Sequence, residues 1–229
     1  MIVVVVVAGI LLMGKEPAWP LEGRAETADS CIVGCACIFG DSPSHSRMLT
    51  AEQLIEHFDL KPLPVEGGYF KQTYRANETI PTEALPARYR SDKVFGTAIY
   101  FLLTSDPESF SAMHILPSEE IYHFYLGDPV EMLLLYPDSR SERVVLGQDI
   151  LNRQHVQFVV PRGVWQGSRL IPGGRCALLG TTMAPGFGHQ DYVGGERDEL
   201  IRRYPDRAEF IKELTRPGSP LYMDEGTEN

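Results

Sequence analysis

The stretch HILPSEEIYHFYLG, residues 114–127, and its later companion VPRGVWQG, residues 160–167, carry the reading of this chain. The first opens on a histidine, reaches a glutamate pair and runs as an alternating aromatic strand to a glycine. Side chains alternate across a strand, so Glu120, Tyr122 and Phe124 share one face while Ile121, His123 and Tyr125 share the other. The second is a strand end, a Pro-x-Gly turn and then Gln166, three positions past Gly163.

Outward from these segments the pattern is of many short strands. VFGTAIYFLLT is almost continuously apolar and suits a strand covered on both faces. SFSAMHIL, VEMLLLYP, SERVVLG, QHVQFVVP and RCALLGTTMAP follow at short intervals, broken by SDPES, GDP, PDS, GQD and PGG. Such punctuation predicts an all-β sandwich or barrel. PGGRC at 172–176 reads as a hairpin turn, and no helix follows it that would make it a phosphate loop. Before the strands, Thr50 and Gln53 form a capping-box pattern, and Leu54, Ile55 and Phe58 recur at helical spacing. After them, Pro205 divides RDELIRRYPDRAEFIKELTRP into two short helices.

Composition narrows the function classes. The 229 residues carry a net charge of -10, whereas phosphate binding needs clustered Lys and Arg, so a nucleic-acid partner is not expected. RYRSDK, residues 88–93, reads as solvated mixed charge. No run approaches the roughly 20 apolar residues that span a bilayer, so no stable membrane span is expected. Residues 2–13, IVVVVVAGILLM, resemble only the central part of an export signal, with no Lys or Arg ahead of them. Residues 1–47 therefore read as a weak targeting leader or a mis-assigned start. One domain spans 48–216, and 217–229 is a disordered tail. A cytoplasmic location is the expectation, with export the alternative. Three cysteines crowd into CIVGCAC without the separated pairs of a zinc site, and Cys176 reads as a small buried apolar residue.

Five blocks in order, LKPLPVEGGYFKQTYR, TAIYFLL, FSAMHILPSEEIYHFYLGDPVEMLLL, VVPRGVWQG and APGFGHQDY, resemble the cupin superfamily. They are most similar to its family catalogued as domain of unknown function 985. The resemblance implies a double-stranded β-helix, or RmlC-like jelly roll, that forms a homodimer. It implies no activity. In metal-binding cupins the first motif supplies two histidines and a glutamate, and the second supplies another histidine. By that resemblance Glu120 and His114 match, Ala112 stands where the first histidine would, and Gln166 holds the second motif's ligand position. First-row metals want two or three imidazoles in such pockets, so no cofactor is expected. A divalent metal on His114, Glu120 and Gln166 is the alternative.

What converges instead is an acid/base set. His114 is expected as base, Glu120 as its orienting carboxylate, Tyr122 as acid and Gln166 as a hydrogen-bond donor to a ligand. The set is similar in kind to the metal-free sugar-nucleotide epimerases among cupins. Glu66 and Tyr69, in the Glu66-Gly67-Gly68-Tyr69 turn, are candidates for the mouth of the barrel. His123 and Trp165 are ligand-binding candidates, with a subunit interface or core packing as their structural alternatives. Pro185-Gly186-Phe187 reads as a structural turn. The expected function is binding of a small polar or cyclic molecule, a carbohydrate or nucleotide derivative, with isomerisation or epimerisation as its chemistry. A metal-dependent enzyme such as a dioxygenase, and a non-catalytic binding or storage protein, stay open beside it.

Overall fold

The computed structural model describes residues 49–223. The expected leader, its cysteine cluster and the start at Met48 lie outside the described residues.

The first element is α1 (Ala51–Phe58). Thr50 Oγ1 accepts from the Gln53 amide at 3.3 Å, and Gln53 Oε1 accepts from the Thr50 amide at 3.0 Å, which satisfies two orphan donors of the first turn. Asp59 ends the helix in the left-handed region, at φ 53°.

Thirteen strands follow in the described residues. They are β1 (Lys61–Pro62), β2 (Tyr69–Arg75), β3 (Thr79–Ile80), β4 (Lys93–Val94), β5 (Thr97–Thr104), β6 (Ser111–Ile115) and β7 (Glu120–Gly127). Then come β8 (Val130–Leu135), β9 (Ser141–Leu146), β10 (Gln157–Val160), β11 (Trp165–Leu170), β12 (Cys176–Met183) and β13 (Val193–Gly194). One sheet has the order β1-β2-β5-β12-β7-β10 and the other β13-β6-β11-β8-β9, with β3 and β4 as a separate ribbon. Strand pairing within these sheets is antiparallel, and the chain passes repeatedly from one sheet to the other, as in a jelly roll. The Pro172-Gly173-Gly174 turn is one such passage. It was expected to close a hairpin, but β11 and β12 belong to different sheets.

The core lies between the sheets. Phe101 and Leu103 of β5, Tyr122 and Phe124 of β7, and Met132 and Leu134 of β8 meet there. β8 is buried on both faces, because Leu133 and Leu135 pack outward under α2 (Arg197–Arg203) and α3 (Ala208–Glu213). Pro205 does divide these helices, opening a single 3-10 turn between them. On the other outer face α1 covers Leu102 and Leu178, with Cys176 in the same apolar cluster.

Two expectations are corrected here. The 88–93 segment is not uniformly solvated: Tyr89 is buried and its hydroxyl meets that of Ser118, while Lys93 is 3% exposed. Lys93 Nζ donates to both oxygens of Asp191 at 2.7 Å, and Asp191 also accepts the Gly188 amide at 3.0 Å. The ammonium is therefore paired with a carboxylate 98 residues away in the sequence and is not a solvated surface charge. The presumed tail is packed as far as it is described: the Leu221 carbonyl accepts the Gly194 amide at 2.7 Å, and Met223 is buried.

Removing one partner of a buried pair strands the other charge, whereas removing both does not. Lys93→Met is therefore expected to destabilise the fold by about 3 to 5 kcal/mol. The double change Lys93→Met with Asp191→Leu should recover much of that loss in urea unfolding.

Candidate functional site

Four elements place a polar cluster inside the sandwich. β7 begins at Glu120 and directs it, with Tyr122 and Phe124, toward the facing sheet. There β6 and β11 pair with His114 opposite Gln166. Gln166 Nε2 donates to Glu120 Oε2 at 2.7 Å, and His114 Nε2 stands 3.9 Å from the same oxygen. His114 Nδ1 meets the Ala112 carbonyl at 2.8 Å, and its ring stacks on Tyr192 with centroids 5.0 Å apart.

The fourth contributor is Glu66, from the loop before β2. Its carbonyl accepts the Ala112 amide at 2.9 Å and Arg216 Nη1 at 3.0 Å, which ties the loop to β6 and to the segment after α3. Gly67 follows at φ 101°, and a Cβ there would collide with the Phe110 carbonyl and the Arg216 guanidinium. Glycine alone permits that close approach. Glu66 Oε1 then accepts the Ser111 hydroxyl at 2.7 Å.

Burial pulls the His114 pKa down, but Glu66 and Glu120 outweigh it and raise it to about 9. The ring is an imidazolium at neutral pH. Burial raises Glu66, and Glu120 adds to that while His114 opposes it. Burial, with Glu120 and Glu66 beside it, holds the Tyr122 phenol well above its usual range, so it keeps its proton. One amide atom, Gln166 Oε1, is buried without a hydrogen-bond partner.

The cluster adjoins a cavity of about 530 Å³. Glu66 and Glu120 reach its lining, whereas His114, Tyr122 and Gln166 do not. His114, at 2% exposure, stands behind the carboxyl groups and does not face the cavity, where it was expected. Phe70, Ile99, Met183 and Phe187 supply apolar wall, and Gln72, Arg75 and His189 polar lining.

Three expected ligand contacts fall elsewhere. Tyr69 packs with α1 on the outer face, because Phe70, paired with Phe101, takes the inward parity of β2. His123 is on the outer face of β7, where its ring meets Thr182 Oγ1 at 3.1 Å and Gln157 Nε2 at 3.3 Å. Trp165 packs against the cluster beneath α2 and α3. Phe187, expected as part of a structural turn, lines the cavity. Ser111 and Tyr192 joined the cluster unannounced, since nothing local distinguishes them from ordinary strand and turn residues.

The donors do not fit a resident first-row metal. His114 is the one imidazole of the cluster, where first-row metals in such pockets want two or three, and the amide of Gln166 is a weak substitute. Among the described residues no three His, Cys, Asp or Glu side chains are grouped to hold a metal ion.

Known proteins share this architecture. The profile of the family Cupin_5, described as Cupin superfamily (DUF985), matches residues 52–193. The chain is 32% identical over 172 residues to Uncharacterized protein YML079W of Saccharomyces cerevisiae, an overlap of 70% of this chain and 80% of that protein. The crystal structure of protein SO0799 from Shewanella oneidensis is 27% identical with a TM-score of 0.65, covering 74% of this chain and 99% of that one. A hypothetical protein from Leishmania major is 28% identical with a TM-score of 0.64, covering 73% and 99% respectively.

The His114 imidazolium couples the site to stability. Its pKa rises from an ordinary 6.5 to about 9 on folding, so its contribution is complete below about pH 6.5 and is lost as pH rises through about 9. Thermal unfolding between those limits should show a falling Tm, and His114→Gln should flatten that slope.

Proposed function

This chain belongs to the cupin superfamily, in the family described as DUF985, and we propose that it binds a small polar ring compound between its sheets. We further propose that it moves a proton on that compound without a metal. The observation that carries this reading is the pair of carboxyl groups, Glu66 and Glu120, meeting at one part of the cavity lining with an imidazolium behind them. A cavity of about 530 Å³ lies within the roughly 300 to 1,000 Å³ usual for small-molecule sites.

The chemistry follows from the environments of the two carboxyls. Glu66 holds its proton more tightly than a free carboxyl, which suits a group that delivers a proton. Glu120 receives the Gln166 amide and faces the His114 imidazole, which suits a group that takes one. A proton removed by Glu120 from a carbon beside a carbonyl, and another delivered by Glu66, constitutes an isomerisation or epimerisation. His114 acts here as a positioning residue, since it holds the countercharge and does not reach the ligand.

The same reading includes a homodimer. The outer faces of β7 and β10 carry Ile121, His123, Tyr125, Gln157 and Val159, with Tyr125 44% and Val159 45% exposed. None of these side chains is an acid, Lys or Arg. Two copies of a chain with net charge -10 can meet on such a neutral apolar face without repulsion. Val159→Glu is expected to shift sedimentation to the monomer mass; a wild type that sediments as a monomer at micromolar concentration overturns this part.

The function itself is tested with ring compounds in thermal-shift and NMR binding screens of chelator-treated protein. Binding should survive chelation, and Glu120→Gln and Glu66→Gln should each weaken it at least tenfold. Solvent deuterium should enter a carbon-bound position of a bound ligand with wild type and not with Glu120→Gln. Ligand binding that needs added iron, nickel or manganese would reject the reading.

A further inference from the structure

Resting on the cavity reading above, we infer that the ligand is a hydroxylated ring bearing one anionic group, of phosphate or carboxylate type. Its hydroxyls would meet Glu66 and Glu120, and its anion would meet Arg75 beside His189.

Strand register supplies the ruler. Arg75 of β2 pairs with Thr97 of β5, Thr97 with Met183 of β12, and Met183 with Glu120 of β7. These four residues form one row across the sheet, and all four line the cavity. Arg75 takes this inward place because the register of β2 shifts between Gln72 and Tyr74. Three strand spacings of about 4.8 Å separate its backbone from that of Glu120 by roughly 14 Å. Side chains stand roughly perpendicular to the sheet, so that interval, less a hydrogen bond of about 3 Å at each end, leaves roughly 8 Å, the span of a single ring and one substituent.

The charges at the two ends of the row are opposite. Arg75 makes no hydrogen bond or ion pair with another side chain among the described residues, so its guanidinium has all its donors available. Lys61 and Lys71 stand on the same lining and share one acid, Asp59, at 2.6 and 3.8 Å. Three cations against one acid leave this side of the cavity net positive, in a chain that is net negative overall. His189 adds two ring nitrogens held by no hydrogen bond among the described residues, its ring edge against Phe187 at 5.9 Å. At the other end the Glu120 carboxylate repels an anion, and Glu66 and Glu120 both offer oxygens to hydroxyl hydrogens. A ligand with its charge at the Glu end is disfavoured, and one with no charge leaves Arg75 unused.

Calorimetric titration of the full chain with hexose phosphates, hexuronates, the matching neutral hexoses and inorganic phosphate tests this. At least one anionic ring should bind tenfold or more tightly than its neutral counterpart and than inorganic phosphate, with affinity falling as salt rises. Whether phosphates or uronates hold that advantage identifies the anion. Arg75→Ala, an exposed position whose loss leaves the core intact, should erase the advantage, while Glu120→Gln should weaken neutral and anionic rings alike. If the neutral rings bind as well as the anionic ones, or Arg75→Ala leaves the preference unchanged, the anion site is overturned and the reading of the carboxylate end stands. If anionic rings bind but Glu120→Gln has no effect, the carboxylate end fails and Arg75 stands. If no ring in the panel binds, the inference is overturned.

Discussion

The short contact between Gln166 and the Glu120 carboxylate, 2.7 Å across the gap between two sheets, constrains the rest of the structure. A carboxylate in a sandwich core has to be compensated, and hydrogen bonds to an ionised group are among the strongest a protein makes. Glu120 comes from one sheet, and Gln166 and His114 from the other. Their meeting therefore pins the face-to-face alignment of the sheets at the cavity end of the barrel. Elsewhere the sheets are held by interchangeable apolar packing among residues such as Phe101, Met132 and Leu179. At this one point the alignment is specified by chemistry.

That constraint also sorts the polar residues by role. The imidazolium of His114 and the amide of Gln166 face the carboxyl groups from behind, so the members of the cluster that face the cavity are acids. The loop that brings Glu66 into the same place is secured from three directions: the Ala112 amide, the Arg216 guanidinium and the left-handed turn at Gly67. This anchoring holds a part-buried acid whose pKa burial raises at the edge of the cavity. The buried Lys93–Asp191 pair secures the turn that carries Phe187 and His189 to the cavity, where Asp191 also accepts the Gly188 amide.

Much of this was legible in the residues. Period-two alternation through EIYHFY put Glu120 and Tyr122 on one face, and the Pro-x-Gly turn put Gln166 near the start of a later strand. The capping box at Thr50 and Pro205 between the terminal helices were equally plain, because each acts through neighbours within four residues. Tyr69 was the instructive failure. Alternation says that Tyr69 and Phe70 face opposite ways, but not which way either faces. That parity is set by the partner strand, where Phe70 meets Phe101.

Local patterns in the chain thus sufficed for the strands, the caps and an all-β sandwich or barrel, while the jelly-roll class and the grouping of an imidazole with a carboxylate and an amide came from the resemblance to cupins. Three matters waited on the folded arrangement: the order of His114 behind Glu120, the row linking Arg75 to Glu120, and the burial of Lys93 against Asp191. Each depends on contacts between residues far apart along the chain. Such contacts come from sheet register and from the stacking of one sheet on the other, and neither leaves a periodic trace in a single strand.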